Sequence, residues 1–140
     1  MKPVVVFFNA SVVLAALHSP KGGSAKLIRY CQQKKISGVI SEVVLDEIRR
    51  NLVKINVFMV KVKRTILSFE HIEPAPANLL VKKYQRLVID PGDGHILASS
   101  ETAGVKYLVT LDKHHILALA PKITKFKIVN PKQLIAKIES

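Results

Sequence analysis

Cysteine is nearly missing from this chain. Its one copy in 140 residues, Cys31, has no partner for an internal disulfide and cannot build a zinc motif, so a reducing, cytoplasmic setting is expected. No uninterrupted apolar run approaches the roughly 20 residues that a bilayer demands, which argues against a membrane span. The opening MKPVVVFFNASVVLAAL has the outline of an export signal. Its basic region is only Lys2, however, and Asn9 and Ser11 interrupt the apolar part, so it reads as a strand of the fold. Asn9-Ala10-Ser11 also fits the N-x-[ST] glycosylation pattern, an accidental match in an intracellular protein. Gly22-Gly23 lacks the Lys-Ser/Thr of a phosphate loop, and neither a dinucleotide fingerprint nor a nucleophile elbow is present. Tyr30, Tyr84 and Tyr107 are too few and too dispersed for a base-stacking platform.

Negative charge is also scarce. Ten Asp and Glu face 22 Lys and Arg, giving a formal charge of +12, which favours a polyanionic partner. The cations are spread along the chain and form no tail, so they predict a charged face on a folded body. With 49% hydrophobic and 23% charged residues and no repeat or low-complexity tract, residues 1–140 are expected to form one globular domain.

The hydrophobic pattern alternates between strands and helices. Val4–Phe8 is a wholly apolar, β-branched and aromatic run of the kind buried on both faces of a parallel sheet. Ser24 is a candidate N-cap for a helix to about Lys35, with Leu27, Ile28 and Cys31 inward. Gly38–Ile40 reads as a strand, and Ser41 caps a helix to about Val53 whose inner stripe is Val44, Ile48 and Leu52. Helices are predicted over 57–69 and 78–87, with an edge strand at His71–Glu73 before Pro74 and Pro76. Asp90-Pro-Gly-Asp-Gly is a turn leading into a helix from His95 that Gly104 ends. A strand over 106–110, a short helical stretch over 114–119, a strand over 126–129 and a helical tail from Pro131 complete the chain. This alternation predicts an α/β fold with a mostly parallel sheet, whose ligands gather beyond the carboxyl ends of the strands. Asn9 and Asp112 both follow predicted strands and belong on that edge.

Because acids are few, their positions are informative. Asp46 is placed to pair with Arg50 on the second helix. Glu47 flanks the apolar stripe and is expected to point toward the body of the protein, where an acid is costly unless paired with a cation. Asp93 is explained by capping of the following helix, Asp90 by its turn, and Asp112 by the end of its strand. Together, Glu47, Asp93, Asp112 and Asn9 come from four elements that such a sheet can bring to one edge. Hard cations such as Mg²⁺ or Mn²⁺ take this kind of oxygen donor set, and an acidic cluster in a basic protein suits a metal-dependent nuclease. His114-His115 looks conspicuous, but adjacent helical positions point about 100° apart and chelate poorly, so a surface role is expected for both. His95 is expected to fill its helix.

Four segments carry a resemblance: VVVFFNASVVLAAL, SEVVLDEIRRNL, DPGDGHILASSETAGVKYLVTLDKHH and IVNPKQLI. In these the chain resembles PIN-domain proteins, the ribonuclease fold of VapC-like toxins and their relatives. The resemblance implies a three-layer α/β/α domain around a four- to five-stranded, mostly parallel sheet. It implies a ribonuclease toxin with an antitoxin partner, a homodimer, RNA as substrate, and Mg²⁺ or Mn²⁺ held by four acids. Carried over position by position, Glu47, Asp93 and Asp112 are the second, third and fourth acids, Thr110 and Ser11 are hydroxyl neighbours, and Asp90 supports the site. Asn9 stands where the family has its first Asp. An amide is isosteric and offers one carbonyl oxygen, but brings no charge. Three alternatives stay open: a natural non-catalytic homologue that keeps RNA or partner binding, a deliberately inactivated form of a toxic enzyme, and a weakened nuclease.

Overall fold

The computed structural model describes residues 2–140. Its centre is β1 (Val4–Phe8), flanked by β2 (Ile36–Ser41) and β4 (Tyr107–Val109), with β3 (His71–Glu73) and β5 (Lys127–Val129) at the edges. Every pairing in the order β3-β2-β1-β4-β5 is parallel. Parallel neighbours need covered crossovers: among the described residues α1 (Ala10–His18) and α2 (Gly23–Gln32) connect β1 to β2, α3 (Glu42–Asn51) and α4 (Met59–Leu67) connect β2 to β3, α5 (Asn78–Gln85) and α6 (Pro91–Thr102) connect β3 to β4, and α7 (Pro131–Glu139) follows β5. The sheet flanked by helices is the α/β/α arrangement expected, with five strands. Val6, Phe7 and Phe8 are fully buried in one continuous hydrophobic core, as a strand covered on both faces must be. No helix among the described residues is long and apolar enough to cross a membrane.

The chain builds outward from β1 to β2 and β3, then returns to lay β4 and β5 on its other side. Adjacent connections therefore diverge at the carboxyl ends of β1 and β4, and open α/β sheets bind ligands in the crevice this creates.

Several local expectations need correction. The first strand ends at Phe8 as expected, and the residues after Asn9, for which the pattern predicts no element, form the helix Ala10–His18 with Ala10, Val12, Val13, Ala16 and Leu17 buried. Ser24 does not cap α2; the cap is Gly22, and Ser24 is buried inside the first turn. The same helix stops at Gln32, because Lys34 takes a left-handed backbone (φ 60°) before β2. Asp46 lies 3.9 Å from Arg49 at i,i+3, rather than pairing with Arg50. Residues 113–116 are turns and 117–122 a 3-10 helix, so no α-helix forms there. Ser41 does cap α3, its hydroxyl oxygen accepting the Val44 N–H at 3.1 Å. Burial pushes the Cys31 thiol up to about 12, which leaves it a core side chain without thiolate chemistry.

Gly38 is required by close packing of β2. A methyl group there would lie 2.7 Å from Cys31 Sγ and 2.9 Å from Phe69 Cδ1. We expect Gly38→Ala to cost about 1–3 kcal/mol, seen as a lower urea midpoint at unchanged m. An unchanged midpoint would mean that Phe69 moves aside freely.

Candidate metal centre

The register of β1 on β4 pairs Phe8 with Val109, so the next residues in each strand, Asn9 and Thr110, stand side by side at the crevice. Both are buried, Asn9 at 7% and Thr110 at 0% exposure. Asn9 is the N-cap residue of α1 but does not cap it with its side chain. Instead its Nδ2 donates to Thr110 Oγ1 at 2.8 Å, and the same oxygen accepts the Asp112 N–H at 3.1 Å. Ser11 Oγ accepts the Leu111 N–H at 3.2 Å. Two short polar side chains from the β1–α1 junction thus fix the backbone that presents Asp112.

Asp112 closes a turn of its own. Its Oδ1 accepts the His115 N–H at 3.0 Å, and its Oδ2 lies 3.5 Å from His115 Nδ1. From the other side comes α6. Asp90 caps that helix, with Oδ1 accepting the Gly92 N–H at 2.9 Å and Pro91 opening the first turn. The helix therefore begins at Pro91, inside the cluster read as a turn, and Asp90 takes the capping role assigned to Asp93. Asp93 is freed to face the crevice, where its Oδ2 is buried with no hydrogen-bond partner.

The outcome is a compact donor set. Asp93, Asp112 and His115 each offer one ligand atom, all within 4.8 Å of one another. Glu47 is not in that set. Its side chain is exposed, contrary to the inward direction inferred from its place beside the stripe, although its charge still acts on Asp93. His95 also stays outside it, with a buried Nδ1 that finds no partner.

Electrostatics give the arrangement its meaning. The Asp93 carboxyl is pushed up to about 6 by burial first, then by the negative charges of Asp90 and Asp112, with His115 opposing and Glu47 adding. The amino end of α6 would favour a carboxylate there, so burial and like charge outweigh the helix dipole. Among the described residues of this +12 chain, no Lys or Arg forms an ion pair with Asp93 or Asp112. Two neighbouring carboxylates, one with an unpartnered buried oxygen, and an imidazole are a donor set that a divalent cation fits.

His115 is not marked out by its spacing from His114, because adjacent positions on a helix cannot chelate one ion. The usable signal was Asp112-x-x-His115: in a turn whose first acid accepts the backbone N–H of the fourth residue, the two side chains are neighbours.

Comparison with known proteins agrees with this geometry. VapBC2 from Rickettsia felis, solved bound to a DNA fragment from its promoter, matches with a TM-score of 0.64 and 15% identity over 91% of this chain and 98% of that one. A protein from Pyrobaculum aerophilum matches with a TM-score of 0.62 and 18% identity, over 97% and 96%. VapC20 from Mycobacterium tuberculosis, a toxin that cleaves the sarcin-ricin loop, matches with a TM-score of 0.59 and 17% identity, over 87% and 98%. These identities carry the fold alone. No curated protein matches by sequence. The sequence model of the PIN domain, however, matches residues 5–114, which include β1, α3, α6, β4 and every member of the cluster except His115. With the five-stranded parallel sheet and the acids at its carboxyl edge, that match establishes that this chain belongs to the PIN-domain family.

Proposed function

We propose that the protein is a divalent-metal-dependent endoribonuclease of PIN type, the toxin of a toxin–antitoxin pair acting in the cytoplasm. The observation that carries this reading is the meeting of Asp93 and Asp112 at the β1–β4 crevice, with one buried carboxylate oxygen unpartnered in a protein of net charge +12. Asp93 and Asp112 are the ligands for Mg²⁺ or Mn²⁺, with Glu47 entering from α3 as the outer acid and Asn9 offering at most a neutral carbonyl oxygen. A divalent ion there supplies a Lewis acid for the scissile phosphodiester.

The chain's own residues do the rest. Thr110, held by Asn9 and holding the Asp112 N–H, fixes the strand end; Ser11 fixes the next peptide. Asp90 orients the first turn of α6 and hence Asp93. Lys113, exposed beside Asp112, is placed to meet the RNA backbone, and the remaining cations supply the nonspecific attraction of a polyanion. For the antitoxin we assign the cleft between α3 and α4, a cavity of about 390 Å³ lined by Leu45, Ile48, Leu52, Met59, Val62 and Ile66. Phe58, 83% exposed, and Leu67 extend that apolar surface. The VapBC2 likeness supports an antitoxin, and the family supports a homodimer.

A second reading, a non-catalytic PIN protein that binds RNA or a partner, is favoured by one observation: the Asn9 amide nitrogen is committed to Thr110 and the position carries no charge. Incubation with single-stranded and hairpin RNA in Mn²⁺ or Mg²⁺, with a chelator arm and an Asp112→Asn arm, tests the first reading. Cleavage that both the chelator and the substitution abolish is expected. Cleavage that survives Asp112→Asn would assign the activity to another site or a contaminant.

A further inference from the structure

We propose that His115 is the third ligand of this metal centre and turns its preference from Mg²⁺ toward the borderline ions Mn²⁺, Co²⁺ and Zn²⁺. The inference rests on the metal-dependent reading above and specifies which ions the site takes.

The argument begins with what Asn9 cannot give. Its nitrogen is committed to Thr110, and its oxygen is neutral, so the first-acid position supplies no charge. Glu47 is exposed and outside the compact donor set. A site of only Asp93 and Asp112 would leave a cation with two protein donors. His115 fills the gap: its ligand atom lies within the same 4.8 Å group, and it is delivered there by the turn that Asp112 closes. Neither partner exhausts the other, since the 3.5 Å between Asp112 Oδ2 and His115 Nδ1 is long for a strong hydrogen bond. The imidazole is partly exposed and can turn onto an ion without unpacking the core. His114, its exposed neighbour, is not in the group and serves as an internal control.

Ligand type then decides selectivity. Mg²⁺ favours oxygen donors in near-ideal octahedral geometry and keeps its waters, so an imidazole adds little to its binding. Mn²⁺, Co²⁺ and Zn²⁺ accept nitrogen readily, and affinity for a nitrogen-containing site rises from Mn²⁺ to Co²⁺. Replacement of a charged oxygen donor by a neutral nitrogen therefore weakens Mg²⁺ more than the others.

Calorimetric titration of the full chain with MgCl₂, MnCl₂ and CoCl₂ tests this, comparing the unsubstituted protein with His115→Ala and His114→Ala. Mn²⁺ and Co²⁺ are expected to bind about tenfold or more tighter than Mg²⁺. His115→Ala should lower Mn²⁺ and Co²⁺ affinity by about tenfold and Mg²⁺ affinity by less than about threefold, while His114→Ala changes none of them. The visible absorption of the Co²⁺ complex should shift in His115→Ala, because the nitrogen donor is lost. An unchanged Mn²⁺/Mg²⁺ ratio and an unchanged Co²⁺ spectrum in His115→Ala overturn the inference and leave the metal-dependent nuclease standing. A protein that binds none of the three ions removes the metal-dependent reading itself, and this inference with it.

Discussion

Asn9→Asp should convert the centre into a stronger nuclease, raising metal-dependent RNA cleavage by about 10²-fold or more, since one properly placed charge on a catalytic ion is worth several kcal/mol. Asp is isosteric with Asn, so β1 and its register against β4 need not move. What changes is the direction of one hydrogen bond. A carboxylate cannot donate to Thr110 as the Asn9 amide does, but the Thr110 hydroxyl can donate its own hydrogen while still accepting the Asp112 N–H. The link between the strand ends survives, and a buried carboxylate now stands at the strand end that presents Asp112. Without metal this is costly: position 9 is 7% exposed, and Asp112 already brings a negative charge to that strand end. A loss of about 1–3 kcal/mol is expected, lowering the apo melting temperature by several degrees. Saturating Mn²⁺ should recover it, because an ion that binds only the folded state stabilises by mass action. If the substituted protein cleaves no RNA with either ion, the catalytic reading fails and the binding reading takes its place.

Asp93→Asn is expected to do the opposite on both counts, stabilising the metal-free fold and abolishing the site. Burial and the neighbouring acids push the Asp93 carboxyl from the ordinary 3.8 up to about 6, so the folded state holds its proton more tightly than the unfolded state does. The stability this contributes is fully present below about pH 3.8 and is lost as pH rises through about 6, leaving the full penalty at neutrality. Because the group is partly exposed, screening reduces that penalty to about 1 kcal/mol. At pH 7 without metal, Asp93→Asn should therefore raise the melting temperature by about 3 °C, and the gain should vanish near pH 4. Ion binding and RNA cleavage should fall below detection in the same variant. A destabilised Asp93→Asn protein at pH 7 would show that Asp93 serves as a structural cap after all. The opposed effects are the signature of a site held at a cost to the fold: Asp90, Asp93, Asp112 and Glu47 are four of only ten acids in the chain, and Asp93 feels the other three.

Local patterns revealed much of this arrangement. The apolar run of β1, the stripe Val44–Ile48 with its Ser41 cap and the helical tail from Pro131 are written in neighbouring residues, and the structure holds them where the pattern places them. Boundaries moved where a backbone decision depended on context. Ala10–His18 is apolar all round, so its period cannot distinguish a buried helix from a strand, and only packing against α2 and α3 settles it. Glu47 was misdirected because a position flanking a stripe lies at the edge of the buried arc, where a small rotation of α3 decides between core and solvent.

The sequence by itself determined the α/β alternation, the basic surface and the placement of Asn9 and Asp112 at strand ends, because propensity, periodicity and charge act over a few residues. Only the tertiary structure decided that Asn9 spends its amide on Thr110, that Asp93 is left unpartnered while Asp90 caps α6, and that His115 joins the two acids. Those meetings depend on the order β3-β2-β1-β4-β5 and on the register that sets Phe8 beside Val109, which join residues 101 positions apart. No local pattern encodes such a separation; it is fixed when burial of the whole sheet selects one pairing.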